Sequence, residues 1–270
     1  MPLPYPTLSS ELVEKVVGQI GKEATLIACS QASRTFEHYS FRQLFRCLYL
    51  CCDEWAIGTF ARLMPRSHRI FRHVKELRIG SSVVPGCLHP SPTQIHGSRY
   101  QQLCLVLKLL AEHSGGRLER VGLRRISWGC LPGTLQTALT ALLACPSVKT
   151  LQFEHVEGIP LAVFRYISSG LKTLQICNSG WNPQPLDNAL AQGGDSFAIP
   201  AARPEKLIIT SKGSETGNLE SSLIDLLDIS HLTSLHMVVR FDSEWELLRK
   251  LMQNASSALE CVSVVFQSGT

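Results

Sequence analysis

The sequence predicts an α/β chain, with a small N-terminal three-helix module followed by a repetitive array built on a parallel sheet. Three observations point there. The first fifty residues carry helical apolar spacing, the remainder carries one apolar pattern again and again, and most of the intervals have helical periodicity of their own. The recurring pattern is apolar, two residues, apolar, one residue, apolar. It occurs as Phe45/Leu48/Leu50, Val74/Leu77/Ile79, Leu118/Val121/Leu123, Val148/Leu151/Phe153 and Leu171/Leu174/Ile176. It continues as Leu207/Ile209, with Pro204 in the first slot, then Leu232/Leu235/Met237 and Leu259/Val262/Val264. The first positions lie 29, 44, 30, 23, 33, 28 and 27 residues apart.

The last two residues of each occurrence point to one side of a short strand, because side chains alternate along extended backbone. Parallel strands require a return connection, and here the intervals supply it. Residues 53–64, 101–112, 134–144, 219–227 and 244–254 all place apolar residues at helical spacing, Leu103, Val106, Leu107 and Leu110 being the clearest set. Each strand-and-return unit buries its apolar faces only against its neighbours, so the array is a cooperative, quasi-linear solenoid. Residues 81–99 and 179–204 are rich in Pro and Gly and are expected to be surface loops. The sequence closes directly after its last strand pattern, where no capping helix is visible.

In the N-terminal segment Leu12, Val13, Val16, Val17 and Ile20 predict one amphipathic helix with a single apolar stripe, capped by Ser9 or Ser10 and stopped near Gly21. Residues 23–33 predict a second helix, in which small residues allow close helix approach, and Phe36, Tyr39, Phe41, Leu44 and Phe45 mark a third. A unit this small is marginal alone and leans on something else. The boundary is expected at residue 48, giving a helical module over 1–48 and a repeat domain over 49–270.

Composition narrows the function. Hydrophobic residues make up 44% of the 270 and charged residues 18%, which suits a packed core and argues against general disorder. A net charge of +4, from 26 basic and 22 acidic side chains, is too mild to predict nucleic-acid binding. The opening segment lacks the basic and apolar regions of a secretory leader, and no stretch nears the roughly 18 apolar residues of a membrane span. An intracellular protein, cytoplasmic or nuclear and without membrane contact, is therefore expected, with its ten cysteines reduced.

Catalytic and metal motifs fail on context. Gly194-Asp195-Ser196-Phe197 matches a hydrolase nucleophile signature, yet it lies deep in a Gly-rich stretch, and the nearest Asp-x-x-His, Asp228 to His231, comes too early. Cys47, Cys51 and Cys52, with His68 and His73 beyond them, lack the paired spacing of a zinc site. No phosphate loop or dinucleotide fingerprint is present. Neither enzyme activity nor any cofactor or metal is expected.

Leu8-Ser9-Ser10-Glu11-Leu12, Val16-Val17, Ile20, Thr25 to Ser30, Ala32-Ser33-Arg34-Thr35-Phe36 and Leu44-Phe45-Arg46 occur in the order of an F-box, and the segment resembles that family in its fungal form. The remaining chain resembles the irregular leucine-rich repeats attached to F-boxes. The resemblance implies a non-catalytic substrate-recognition adaptor of a cullin–RING (Skp–cullin–F-box) ubiquitin ligase. Its helices would dock on a Skp-type adaptor through Leu8, Leu12, Val16, Leu26, Ile27, Arg34, Phe36, Leu44 and Phe45, and its repeats would bind a target protein that the sequence does not name. The alternative is a leucine-rich-repeat interaction scaffold unrelated to ubiquitination, whose helices only cap the solenoid. Two departures stand out. Ser9, Ala32 and Phe36 replace the commoner Pro, Val and Trp, and losing two methyls at such a site costs about 1–2 kcal/mol. The position that holds Asn or Cys in regular repeats holds Ser82, Ile126, Val156, Ser179, Lys212, Arg240 and Gln267, so no asparagine ladder is expected.

Overall fold

The computed structural model describes residues 8–51, 70–80, 97–114, 116–182, 202–210, 226–255 and 258–267. Three helices come first: α1 (Ser10–Gly18), α2 (Glu23–Ala32) and α3 (Arg34–Leu44). The main strands follow as β1 (Cys47–Cys51), β2 (Glu76–Gly80), β3 (Arg120–Arg124), β4 (Thr150–Glu154), β6 (Thr173–Cys177), β8 (Lys206–Thr210), β9 (Ser234–Val239) and β10 (Cys261–Phe266). A minor two-stranded ladder pairs β5 (Ile159–Pro160) with β7 (Trp181–Asn182). The eight main strands form one all-parallel sheet whose order is the order of the chain. Because the order never reverses, the sheet has no switch point of the doubly wound kind and grows in one direction as a solenoid. The predicted fold class is the one observed, an α/β chain arranged like leucine-rich repeats.

The last two residues of every occurrence of the repeating pattern lie on one of these strands, and the register aligns them. Leu48, Leu77, Val121, Leu151, Leu174, Leu207, Leu235 and Val262 are partners in one row across the sheet. Leu50, Ile79, Leu123, Phe153, Ile176, Ile209, Met237 and Val264 form the next inward row. From Leu77 to Leu235 the first row is fully buried, and Val74, Leu118, Val148, Leu171 and Leu232 seal it beneath. Burial of this kind contributes about 1.5–3 kcal/mol per large aliphatic side chain, and it exists only because the neighbouring strand is present.

The returns cover the other side of this core. Among the described residues three are helices: α4 (Gly97–His113), α5 (Gly133–Leu143) and α6 (Asp242–Asn254). Leu103, Val106, Leu107 and Leu110 of α4 are buried as their spacing predicts, and α4 packs along α5. The expected loop over 81–99 is shorter than predicted, because α4 begins at Gly97; a first turn tolerates Gly and Ser, since its amides need no intrahelical partner. The rest of that loop and the predicted helix over 53–64 lie outside the described residues, as do most of the expected loop over 179–204, whose described part contains β7, and most of the predicted helix over 219–227. Other returns are 3-10 turns, at Ile70–His73, Leu161–Tyr166 and Ile229–His231.

Strands end by a shared device. Arg125, His155 and Asn178, each one residue past its strand, have φ of 54°, 53° and 50°. This left-handed geometry costs roughly 1–2 kcal/mol for a residue with a side chain. It turns each amide onto the next strand: Arg125 N–H donates to Glu154 O at 2.8 Å, His155 N–H to Cys177 O at 2.8 Å and Asn178 N–H to Thr210 O at 2.6 Å.

The missing asparagine ladder is replaced piecemeal. Ile126 and Val156 are simply buried, and the main chain bonds across them, Glu157 N–H to Ile126 O and Gly180 N–H to Val156 O, both at 2.8 Å. Ser179 supplies one side-chain rung: its Oγ accepts from Val156 N–H at 3.2 Å and donates to Cys177 O at 3.0 Å. Arg240 and Gln267, further members of that column, bond to each other, Nε to Oε1, at 2.7 Å. Glu244, buried at the start of α6, uses its carboxylate to accept the amides of Arg240 and Phe241.

Phe153 tests the stacked core. Its ring is fully buried and lies 5.9 Å from that of Phe164. Phe153→Ala should cost about 3–5 kcal/mol in chemical denaturation, whereas its neighbour Gln152→Ala, on the open face, should stay within about 0.5 kcal/mol of wild type.

Candidate functional site

The helical module is held by very little apolar material. Val13, Val17 and Leu26 are its buried apolar residues, with Ile20, Phe36, Tyr39 and Leu44 packed half-buried around them. The hub is α3, which packs against α1, α2 and the 3-10 turn Ile70–His73 of the first return. Serine caps set the helix starts. Ser9 Oγ accepts from Leu12 N–H and Ser33 Oγ from Phe36 N–H, each at 3.3 Å. The Ser33-Arg34-Thr35-Phe36 turn is thus an N-cap, with the aromatic at the third helical position. Arg42 pairs with Glu14 at 2.7 Å and pins α1 to α3.

The single apolar stripe expected on α1 is two stripes. Val13 and Val17 are 1% exposed and point into the module. Leu8, Leu12 and Val16, four residues apart, are 58%, 51% and 51% exposed. A helix this short has one inward face about two residues wide, so five apolar positions cannot all be buried. On α2, Ile27 is 43% exposed while the adjacent Leu26 is buried. The nine residues marked by resemblance therefore divide. Leu8, Leu12, Val16, Ile27 and Arg34 stand in solvent, whereas Leu26, Phe36 and Leu44 belong to the module's own core. Phe45, half-buried, caps α3 and meets Phe41 edge-on at 5.7 Å. Of the small residues on α2, Cys29 and Ser30 are half-buried and Ala32 is exposed.

The module joins the array without a linker. Two residues separate α3 from β1, and Arg46 O already accepts the amides of Lys75 and Glu76, at 2.9 and 3.0 Å. At this junction the rings of His38 and His73 meet edge-on at 5.6 Å. Burial holds the His73 imidazole below the usual histidine range, helped by His38, Arg117 and Arg42 beside it. The concavity here gathers cations from separate segments, Arg42, Arg46, Arg72, Lys75 and Arg117. Sequence inspection missed them because they are spread over more than seventy positions. The signal was the residue before each strand, where Arg46 and Lys75 come in succession before Glu119 balances them.

The open face of the sheet presents a third surface. Tyr49, Arg78, Gly122, Gln152, Gln175, Ile208, His236 and Ser263 form one row across it. Arg78 pairs with Glu76 at 2.6 Å and Arg124 with Glu154 at 3.0 Å, while His236 Nδ1 lies 3.0 Å from Ser263 Oγ.

Of the catalytic and metal motifs, Asp228, His231, Cys47 and His73 lie among the described residues. Asp228 caps the turn Ile229–His231, accepts from Ser230 and pairs with Arg203 at 2.9 Å, and the Ser230 hydrogen bonds keep its carboxyl below its ordinary range. Gly194 to Phe197 lies outside the described residues, as do Cys52 and His68. Among the described residues no three His, Cys, Asp or Glu stand together as a metal site, and no helix is long and apolar enough to cross a membrane. No protein-family model matches the chain, and no curated protein matches it.

Two outcomes follow from this geometry. Leu12→Asp with Val16→Asp should leave helicity and melting temperature near wild type, while Val17→Asp, which places a charge in a three-residue core, should unfold the module, as read by circular dichroism. For His73 the folded pKa lies below the unfolded value of about 6.5, so the unfolded chain binds more protons between the two. Its stabilising contribution is complete above about pH 6.5 and is lost as pH falls through the folded pKa. His73→Gln should therefore reduce the fall in melting temperature between about pH 7.5 and about pH 5.5.

Proposed function

We propose that this chain is a non-catalytic substrate-recognition adaptor of a cullin–RING ubiquitin ligase, docking on a Skp-type adaptor through its helical module and holding a target protein on the repeats. The observation that carries this reading is the outward row of Leu8, Leu12 and Val16, with Ile27 on the next helix. The module's core is already filled by the opposite face of α1, so these side chains serve nothing inside it. Exposed aliphatic residues on a marginal three-helix unit suit a helix-lined docking surface on a partner. The family resemblance of about 45 N-terminal residues supports a Skp-type adaptor as that partner. Leu26, Phe36 and Leu44 would act by keeping the surface in shape, and Arg34 would add a rim charge.

The mechanism is proximity. The sheet's open face, with its polar row from Arg78 to Ser263, holds the target while the helices attach to the ligase. A bimolecular transfer to the target's lysines becomes effectively local, and this chain contributes no reacting group.

Co-purification of the full chain with a Skp-type adaptor and cullin is the test. Wild type should bind, and Leu12→Asp with Val16→Asp should weaken binding by at least about 100-fold, since two buried aliphatic side chains are worth about 3 kcal/mol or more. Failure of folded wild type to bind, where a known F-box does, would leave the chain as a repeat scaffold unrelated to ubiquitination.

A further inference from the structure

The concavity at the junction has a volume of about 640 Å³, within the range of ligand pockets. One side of it comes from α1 and α3, the other from the turn Ile70–His73, from Lys75 and from the approach to β3. Five cationic side chains and two carboxylates line it. Both carboxylates are already engaged, Glu14 with Arg42 at 2.7 Å and Glu119 with Lys75 at 3.2 Å. Arg46, Arg72 and Arg117 have no carboxylate partner among the described residues. Arg117 Nη1 instead donates to the main-chain carbonyl of Arg72 at 3.3 Å, which fixes one guanidinium beside the segment that carries another. On the same wall His73 keeps its Nδ1 buried without a hydrogen-bond partner.

Three guanidinium groups without carboxylate partners gathered in one hollow repel each other, and the one contact that holds any of them, from Arg117 to the Arg72 carbonyl, does not neutralise them. Concave walls focus such a field and raise the local concentration of anions. Guanidinium forks match phosphate oxygens two at a time, which a lysine ammonium does not. The charges converge on one hollow instead of running in a stripe, which suits a compact ligand and not a nucleic-acid backbone.

We propose that this junctional groove binds a compact polyphosphate anion, held by Arg46, Arg72 and Arg117. Such a ligand touches the helical module and the first repeats at once. It therefore stabilises their union in proportion to its occupancy. The idea does not depend on the ligase role, because none of the three arginines belongs to the outward face of α1.

Calorimetric titration of the full chain with tripolyphosphate and with a nucleoside triphosphate, at matched ionic strength, tests it. Both should bind, with a melting temperature that rises with ligand concentration. Equal affinities identify the phosphate chain as the whole ligand, and tighter binding of the nucleotide assigns an organic source. Arg46→Ala/Arg72→Ala/Arg117→Ala should weaken binding at least about tenfold, whereas Arg165→Ala and Arg249→Ala, away from the groove, should not. Should the triple variant fail to fold, Arg72→Ala alone, at an exposed side chain, should still weaken binding about threefold. Absence of binding by wild type would overturn the proposal. So would an equal loss in the distant variants, or equal affinity for a polyglutamate peptide.

Discussion

Everything in this chain depends on the parallel ladder between consecutive strands. A parallel strand cannot pair with a neighbour across a tight turn, so each repeat's amides, carbonyls and apolar side chains find their partners one repeat away. The in-register rows starting at Leu48 and Leu50 are the result. Residues outside the rows serve the same ladder. The left-handed Arg125, His155 and Asn178 carry it past the end of each strand. Ser179 and the Arg240–Gln267 pair continue it where regular repeats use asparagine.

What the sequence disclosed follows from this constraint. A row that must align across eight strands repeats its chemistry eight times, so the pattern is visible even where spacing varies from 23 to 44 residues. The buried face of α4 was equally legible, because four apolar residues at helical spacing leave one solution. The division of α1 was not. Leu12 and Val13 are alike in hydropathy, and only the size of the module decides that one is buried and the other is not. The substitute rungs were hidden for a different reason. Serine, arginine and glutamine at the asparagine position look like losses until their partners, 23 and 27 residues away, are seen.

The candidate surfaces differ in how they arise. The outward face of α1 comes from an excess of apolar residues over the space available to bury them. The junctional groove comes from charges that are unremarkable along the chain and become concentrated by packing. The open face of the sheet comes from alternation alone, since every second residue of a strand must leave the core. The third could be anticipated in outline from the sequence, whereas the first depends on the size of the module and the second exists only once α3 meets the turn Ile70–His73.

The join at Phe45 and Arg46 has a mechanical meaning. With α3 running into β1 across two residues, and Arg46 O already holding the next strand, no free linker separates these helices from the first strand. Across this junction the helical module and the first strands form one continuous arm. Force applied to the helices is passed through α3 to the first strand instead of being absorbed by slack.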